Sequence, residues 1–161
     1  MTSPPKTSSS PDPSSTGEVE LLSFRVGEHE YSVNIMSVRE IRGWTRTTSL
    51  PRAPSYIRGV INLRGTVLPV VDLCQRLGLE ASEPDERNVI VVVDVNGRTI
   101  GLRVDAVSDI LTLPTERLKP PPEIAATADQ TFLTALTIVD DRMVRILDLT
   151  LILPGTDEVA A

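Results

Sequence analysis

Residues 88–105 read NVIVVVDVNGRTIGLRVD, two runs rich in Val and Ile on either side of Asn96-Gly97. Asn-Gly supplies the two positive-φ positions of a type I′ turn, so the segment predicts a β-hairpin. Weaker versions of the pattern recur along the chain. Leu22, Phe24 and Val26 alternate with Ser23 and Arg25, the period of a half-buried strand, and Tyr31, Val33 and Ile35 alternate after a turn at Gly27-Glu28-His29. Residues 38–44 make a further extended segment. Val60–Leu63 and Val67–Val71 flank a tight turn at Arg64-Gly65, and Ala135–Val139 and Met143–Leu147 flank Asp140-Asp141-Arg142. Helices are expected to be few and short. Asp72-Leu73-Cys74-Gln75 reads as an N-cap with a reciprocal Gln, stopped by Gly78. Residues 54–58 are expected to form one turn ended by Gly59, and Asp148 to cap a last turn through Leu151 and Ile152. Consecutive prolines keep Lys119-Pro120-Pro121-Pro122 extended. Many short strands with few helices suggest small closed barrels or a sandwich. No clear sequence repeat is visible.

The first 16 residues hold six Ser, three Thr and four Pro. A stretch with so little to bury is expected to be a disordered tail. Of the 161 residues, those that remain are enough for one domain with a real core.

Charge and composition narrow the function. The net charge is −6, aromatics are 3%, and His29 and Cys74 are the only residues of their kinds. Binding to nucleic acid, which needs a basic face and stacking aromatics, is disfavoured. An internal disulfide is impossible, and a zinc site built from Cys and His is disfavoured. A reduced, cytoplasmic setting is the default, and no apolar run approaches the roughly 20 residues of a membrane-spanning helix. His29 falls in a turn and is read as solvated. Cys74 lies beside Leu73 and Leu77 and is read as a buried, inert thiol. There is no G-x-S-x-G, H-E-x-x-H, Walker-type loop or G-x-G-x-x-G. Asp72, Asp94, Asp105 and Asp148 sit at strand ends or helix starts, where caps and turns account for them. An enzyme is therefore disfavoured, and no cofactor is expected.

The charge is unevenly spread. Residues 39–64 carry six arginines (39, 42, 46, 52, 58 and 64) against Glu40, a net +5 that leaves −11 for the rest of the chain. A solvated charged face is the plain explanation, and a docking surface is the functional one. Trp44, the only Trp, lies in this band and is either an exposed hot spot or a partly covered barrel-edge residue.

Three strings in this region, Val38-Arg39-Glu40-Ile41, residues 57–65 (IRGVINLRG) and residues 67–73 (VLPVVDL), resemble the CheW family of coupling proteins from bacterial chemosensory arrays. Val89–Val93 followed by GLRVDAV at 101–107, then Lys119–Pro122, Phe132-Leu133-Thr134 and Arg142–Leu149, are similar to that family's later landmarks in order. The resemblance covers roughly residues 18–154. It implies a mainly β fold of two packed five-stranded SH3-like β-barrels with a few short helices, spanning 17–154 between the tail at 1–16 and a flexible C-terminal tail at 155–161. It also implies a non-enzymatic adaptor linking the cytoplasmic tips of methyl-accepting chemotaxis receptors to the regulatory domain of the histidine kinase CheA. Such a protein would be cytoplasmic, recruited to receptor arrays at the inner membrane face without inserting. At matching positions the implied receptor-facing residues are Val38, Glu40, Ile41, Leu63 and Arg64, with a possible Glu40–Arg64 pair across neighbouring strands. Ile124 matches a position of apolar kinase contact, where Ile in place of an aromatic departs from the family pattern. The alternative outside chemotaxis is a β-barrel protein that binds a small ligand or uses carboxylates. The CheW-like module of a kinase, or a fusion to a receiver, is disfavoured by length.

Overall fold

The computed structural model describes residues 17–79, 85–120 and 132–153. The expected tails and Ile124 lie outside the described residues. Ten strands run in chain order: β1 (Glu18–Val26), β2 (His29–Asn34), β3 (Val38–Gly43), β4 (Ile57–Leu63), β5 (Thr66–Asp72), β6 (Val89–Val95), β7 (Arg98–Val104), β8 (Ala106–Pro114), β9 (Leu133–Val139) and β10 (Arg142–Leu147). Two one-turn helices, α1 (Leu73–Arg76) and α2 (Leu149–Ile152), follow β5 and β10. The turn chemistry read from sequence holds. Asn96 and Gly97 have φ of 55° and 78°, and Gly78, at φ 78°, ends α1. The turn at 54–58 is smaller than expected. The Ile57 amide donates to Pro54 at 2.9 Å, and Gly59 lies inside β4.

The strands form two five-stranded sheets, ordered β8-β1-β2-β10-β9 and β3-β6-β7-β5-β4. Neither ladder runs continuously round. Instead, the chain leaving each edge strand crosses to the opposite edge and makes one bridge. Lys119, beyond β8, exchanges two backbone hydrogen bonds with Leu136 of β9 (2.8 and 2.7 Å). Thr48, beyond β3, does the same with Val60 of β4 (2.9 and 2.8 Å). This is the SH3-like arrangement, with a seam between the two edge strands of each sheet.

The sheets are structural repeats of one another. In each, a single parallel pair (β2 with β10, β5 with β7) joins two antiparallel sets. In each, the junction from strand to helix holds an Asp whose side chain accepts from a helix amide at 3.0 Å, Asp72 from Cys74 and Asp148 from Thr150. Those same aspartates donate their own backbone N–H to Tyr56 and Phe132. The second sheet uses β3–β7 consecutively. The first takes β8-β9-β10 from one end of the chain and β1-β2 from the other. A scan for a tandem period fails because one copy is split around its partner.

The largest core cluster is shared between the sheets. Phe24, Tyr31 and Val33 meet Val91, Val93 and Leu102, with Leu73, Cys74, Leu77 and Ile152 of the helical turns around them. Separate clusters fill each sheet's own concavity, Leu21, Leu111, Val144 and Ile146 in the first and Ile61, Leu63, Leu68, Val70, Ile90 and Val92 in the second. Burying each such side chain contributes about 1.5–3 kcal/mol, which makes this inner layering the dominant stabilising term. Arg76 fastens the halves at their junction. Its guanidinium lies 4.0 Å from the Tyr56 ring and 5.1 Å from Phe132, and it donates to the carbonyls of Leu151 and Ile152.

Cys74 is buried, and that burial, then the neighbouring Asp72 charge, pushes its thiol pKa up. Thiol reagents such as DTNB are therefore expected to label Cys74 only as the chain unfolds. Rapid stoichiometric labelling of the native protein would contradict this placement.

Candidate functional site

Strand β3 is an edge of the second sheet, and it carries a bulge. Its register on β6 shifts between Val38 and Glu40, leaving Arg39 as the extra residue. Without a bulge, Val38 and Glu40 would share a face. With it, Val38 pairs with Val93 and packs against the shared core, while Glu40 pairs with Val92 and turns toward the second sheet's own concavity. Ile41, one residue on, is 47% exposed.

Across the seam stands the β4–β5 turn. Arg64 and Gly65 occupy it with φ of 51° and 84°. A left-handed Arg is unfavourable by about 1–2 kcal/mol, and the turn is held by the Asn62 side chain, which accepts from the Gly65 amide at 2.9 Å. This conformation carries the Arg64 guanidinium over to Glu40, which accepts a hydrogen bond from it. The expected pair thus forms, but not across neighbouring strands. β3 and β4 are opposite edges of the sheet, and the ion pair spans the opening between them. Glu40 also accepts from Arg42 at 3.3 Å.

Below the pair lies an open cleft of about 370 Å³, with Leu63, Leu68 and Val92 as its floor and Arg39, Glu40, Arg64, Thr66, Asp94 and Thr99 at its rim. Arg39 and Asp94 make a second ion pair there. Of the residues singled out from sequence, Glu40, Leu63 and Arg64 converge on this cleft, whereas Val38 is drawn into the core and Ile41 lies outside it. Thr66, Leu68, Val92 and Asp94 were missed. They become neighbours only through the register of β3 on β6 and of β4 on β5, which no short motif encodes.

The basic band is largely neutralised within the fold. Arg39 pairs with Asp94, Arg58 with Asp72, and Arg42 and Arg64 share Glu40. The residual positive charge sits on Arg46, Arg52 and the unequal sharing of Glu40. Trp44 is half-buried against the second sheet's cluster, the barrel-edge alternative. His29 opens β2, half-buried and edge-on to Tyr31, rather than lying in a solvated turn. Among the described residues, no group of three or more His, Cys, Asp or Glu is placed to hold a metal ion. The arrangement suits recognition: an apolar floor, a charged rim and two guanidinium groups with donors to spare.

Hydrogen bonding from Arg64, then from Arg42, holds the Glu40 carboxyl below its ordinary pKa of 4.5. A depressed carboxylate pKa means the charged pair is intact at and above the ordinary value and is lost as pH falls through the lower, folded one. The seam pair is therefore expected to be unchanged between pH 6 and 8 by NMR titration of Glu40, and to break only under acid, below about 4.5. A Glu40 titration midpoint above that value would show that the pair does not form.

Comparison with known proteins follows the same lines. A family model for the CheW-like domain matches residues 20–156. The chemotaxis protein CheW of Rhizobium meliloti is 49% identical over 145 residues, 90% of this chain and 94% of that one. The CheW of Klebsiella aerogenes is 37% identical over 141 residues, covering 88% and 84%. A crystal structure of the scaffolding protein TtCheW from Thermoanaerobacter tengcongensis superposes with a TM-score of 0.80 at 29% identity, covering 88% of this chain and 97% of that one.

Proposed function

This chain belongs to the CheW family of chemotaxis scaffold proteins, and from that premise we propose that it is a non-enzymatic adaptor coupling methyl-accepting chemotaxis receptors to the histidine kinase CheA. The proposed receptor-facing residues are Glu40, Leu63 and Arg64 at the cleft, with Val38, packed against the core, and the exposed Ile41 flanking them on β3, and the proposed kinase partner is the CheA regulatory domain, with Ile124 as an apolar contact. The observation that carries the receptor assignment is the Glu40–Arg64 pair over the Leu63 floor. A helical receptor tip presents an apolar stripe with polar edges, and an apolar floor rimmed by charge complements it. The pair itself does little for stability. Exposed ion pairs contribute about 0–1 kcal/mol, less than or equal to the backbone penalty at Arg64. Its use is to hold the Arg64 guanidinium in a fixed direction toward a partner.

Holding both partners at once raises their effective concentration and couples their states, which requires no catalytic group. No helix among the described residues is long and apolar enough to cross a membrane, and the proposed location is the cytoplasmic face of receptor arrays at the inner membrane. Arg64→Ala and Glu40→Ala are each expected to leave the folding free energy within about 0.5 kcal/mol of wild type. Each is also expected to weaken binding of a receptor-tip fragment about tenfold or more, read by calorimetric titration. Wild-type affinity in both variants would overturn the receptor assignment.

A further inference from the structure

A second cleft is linked to the first by the hydrogen bond from Arg42, which lines it, to Glu40. It has a volume of about 280 Å³, and Arg42, Thr45, Arg46, Thr48, Asn62 and Val67 are among its lining residues. Among the described residues, no carboxylate lines it. Two features mark it as short of a negative partner. Arg42 Nε is shielded from water and, among the described residues, has no hydrogen-bond partner, while Nη1 donates to Glu40 at 3.3 Å. Arg46 is exposed and has no ion pair or hydrogen-bond partner among the described residues. The remaining polar groups can add donors. Asn62 spends its carbonyl oxygen on the Gly65 amide, which leaves its NH₂ outward, and Thr45 and Thr48 are exposed hydroxyls. Beside these donors Val67 exposes 62% of its surface, an apolar shelf next to a cationic cleft.

We infer that the Arg42–Arg46 cleft receives a carboxylate side chain from the partner protein docked on the Glu40–Arg64 site, while Val67 takes an apolar residue next to that carboxylate. The inference rests on the receptor reading above, because Arg42 of this cleft hydrogen-bonds Glu40 of the first, and Asn62 of this cleft is followed directly by Leu63 and Arg64 of the first. A carboxylate matches two guanidinium forks with bidentate geometry and meets no opposing acid in the cleft. Glu40 keeps its pairing with Arg64 when Arg42 turns to the incoming group.

The test is titration of a receptor-tip fragment with wild type, Arg46→Glu and Arg46→Lys. Arg46→Glu is expected to lower affinity about tenfold or more and to flatten its dependence on salt, while Arg46→Lys retains most of both. Among single Glu→Gln and Asp→Asn replacements in the tip, one is expected to weaken wild-type binding similarly and to have little further effect on Arg46→Glu. Equal binding by wild type and Arg46→Glu, or the absence of any such coupled carboxylate, overturns this inference and leaves the receptor assignment standing. Failure of wild type to bind the tip overturns the receptor assignment and this inference with it.

Discussion

Asp72→Ala is expected to lower the folding free energy by about 3–5 kcal/mol, the largest single-residue loss for a side chain outside the apolar core. Asp72 is fully buried. Its carboxylate accepts from Arg58 Nε at 2.8 Å, Arg103 Nη1 at 3.2 Å and the Cys74 amide at 3.0 Å. Arg103 is 2% exposed, also donates to Asn88 Oδ1 at 2.8 and 3.2 Å, and lies 3.6 Å from an Asp105 carboxylate oxygen. One carboxylate thus ties the end of β5, the start of α1, β4 and β7. Removing it takes away the one fully buried counter-charge of the Arg103 guanidinium and uncaps a helix in the same step. Denaturant titration should show the midpoint falling with the slope unchanged, and the melting temperature dropping on the order of 10 °C. Replacing Arg103 by Met as well should recover much of the loss, because the under-compensated buried charge goes with it. A loss below about 1 kcal/mol for Asp72→Ala alone would show that Arg103 is not buried as described.

The second large effect is expected at Gly59. It lies in β4 at φ +143°, and an added Cβ would stand 2.3 Å from the Thr48 carbonyl oxygen and 2.7 Å from its carbon. Both atoms belong to the backbone of the bridge that spans the seam, so no side chain can swing away to relieve the clash. Gly59→Ala must break the Thr48–Val60 pairing or push the 44–48 segment outward, at roughly 3 kcal/mol or more. Amide exchange at Thr48 and Val60 should accelerate well beyond that of β6 and β7. Gly43→Ala is the control, since nothing lies within 4 Å of its added Cβ and its stability should be near wild type. Equal behaviour of the two variants would contradict the closure of this sheet across its seam.

Both effects fall on residues whose sequence reading was incomplete, and for a physical reason. Strand, turn and cap signals are local. Asn96-Gly97, Arg64-Gly65, Gly78 and the two capping aspartates could be read because each acts on its immediate neighbours. Gly59 was read as a helix stop because a glycine needed for close approach by a distant carbonyl has the same local signature. Asp72 was read as a cap, which it is, but its pairing with Arg103 depends on the parallel register of β5 and β7. The split repeat was invisible for a similar reason, since one copy is assembled from both chain ends. At the candidate site, the V-x-E-I and N-L-R-G strings located Glu40, Leu63 and Arg64. The bulge at Arg39, which sends Val38 inward, is not encoded in the alternation of β3. The basic band marked the region that holds the candidate site, but its net charge overstated what is left uncompensated. Most of its arginines are paired inside the fold, and of the uncompensated ones Arg46 lines the cleft that also holds Arg42.

The central claim is that this seam is a receptor-facing surface distinct from the kinase contact, so that one chain bridges two partners. Arg64→Gly tests it most directly, because glycine removes the guanidinium while relaxing the left-handed turn and keeping the fold at least as stable. The measurement is co-sedimentation or titration of the CheA regulatory domain, a receptor-tip fragment and this protein together, wild type against Arg64→Gly. The account predicts that the variant still binds the regulatory domain with wild-type affinity but no longer recruits the receptor tip to it. Undiminished recruitment of the tip by Arg64→Gly would contradict it.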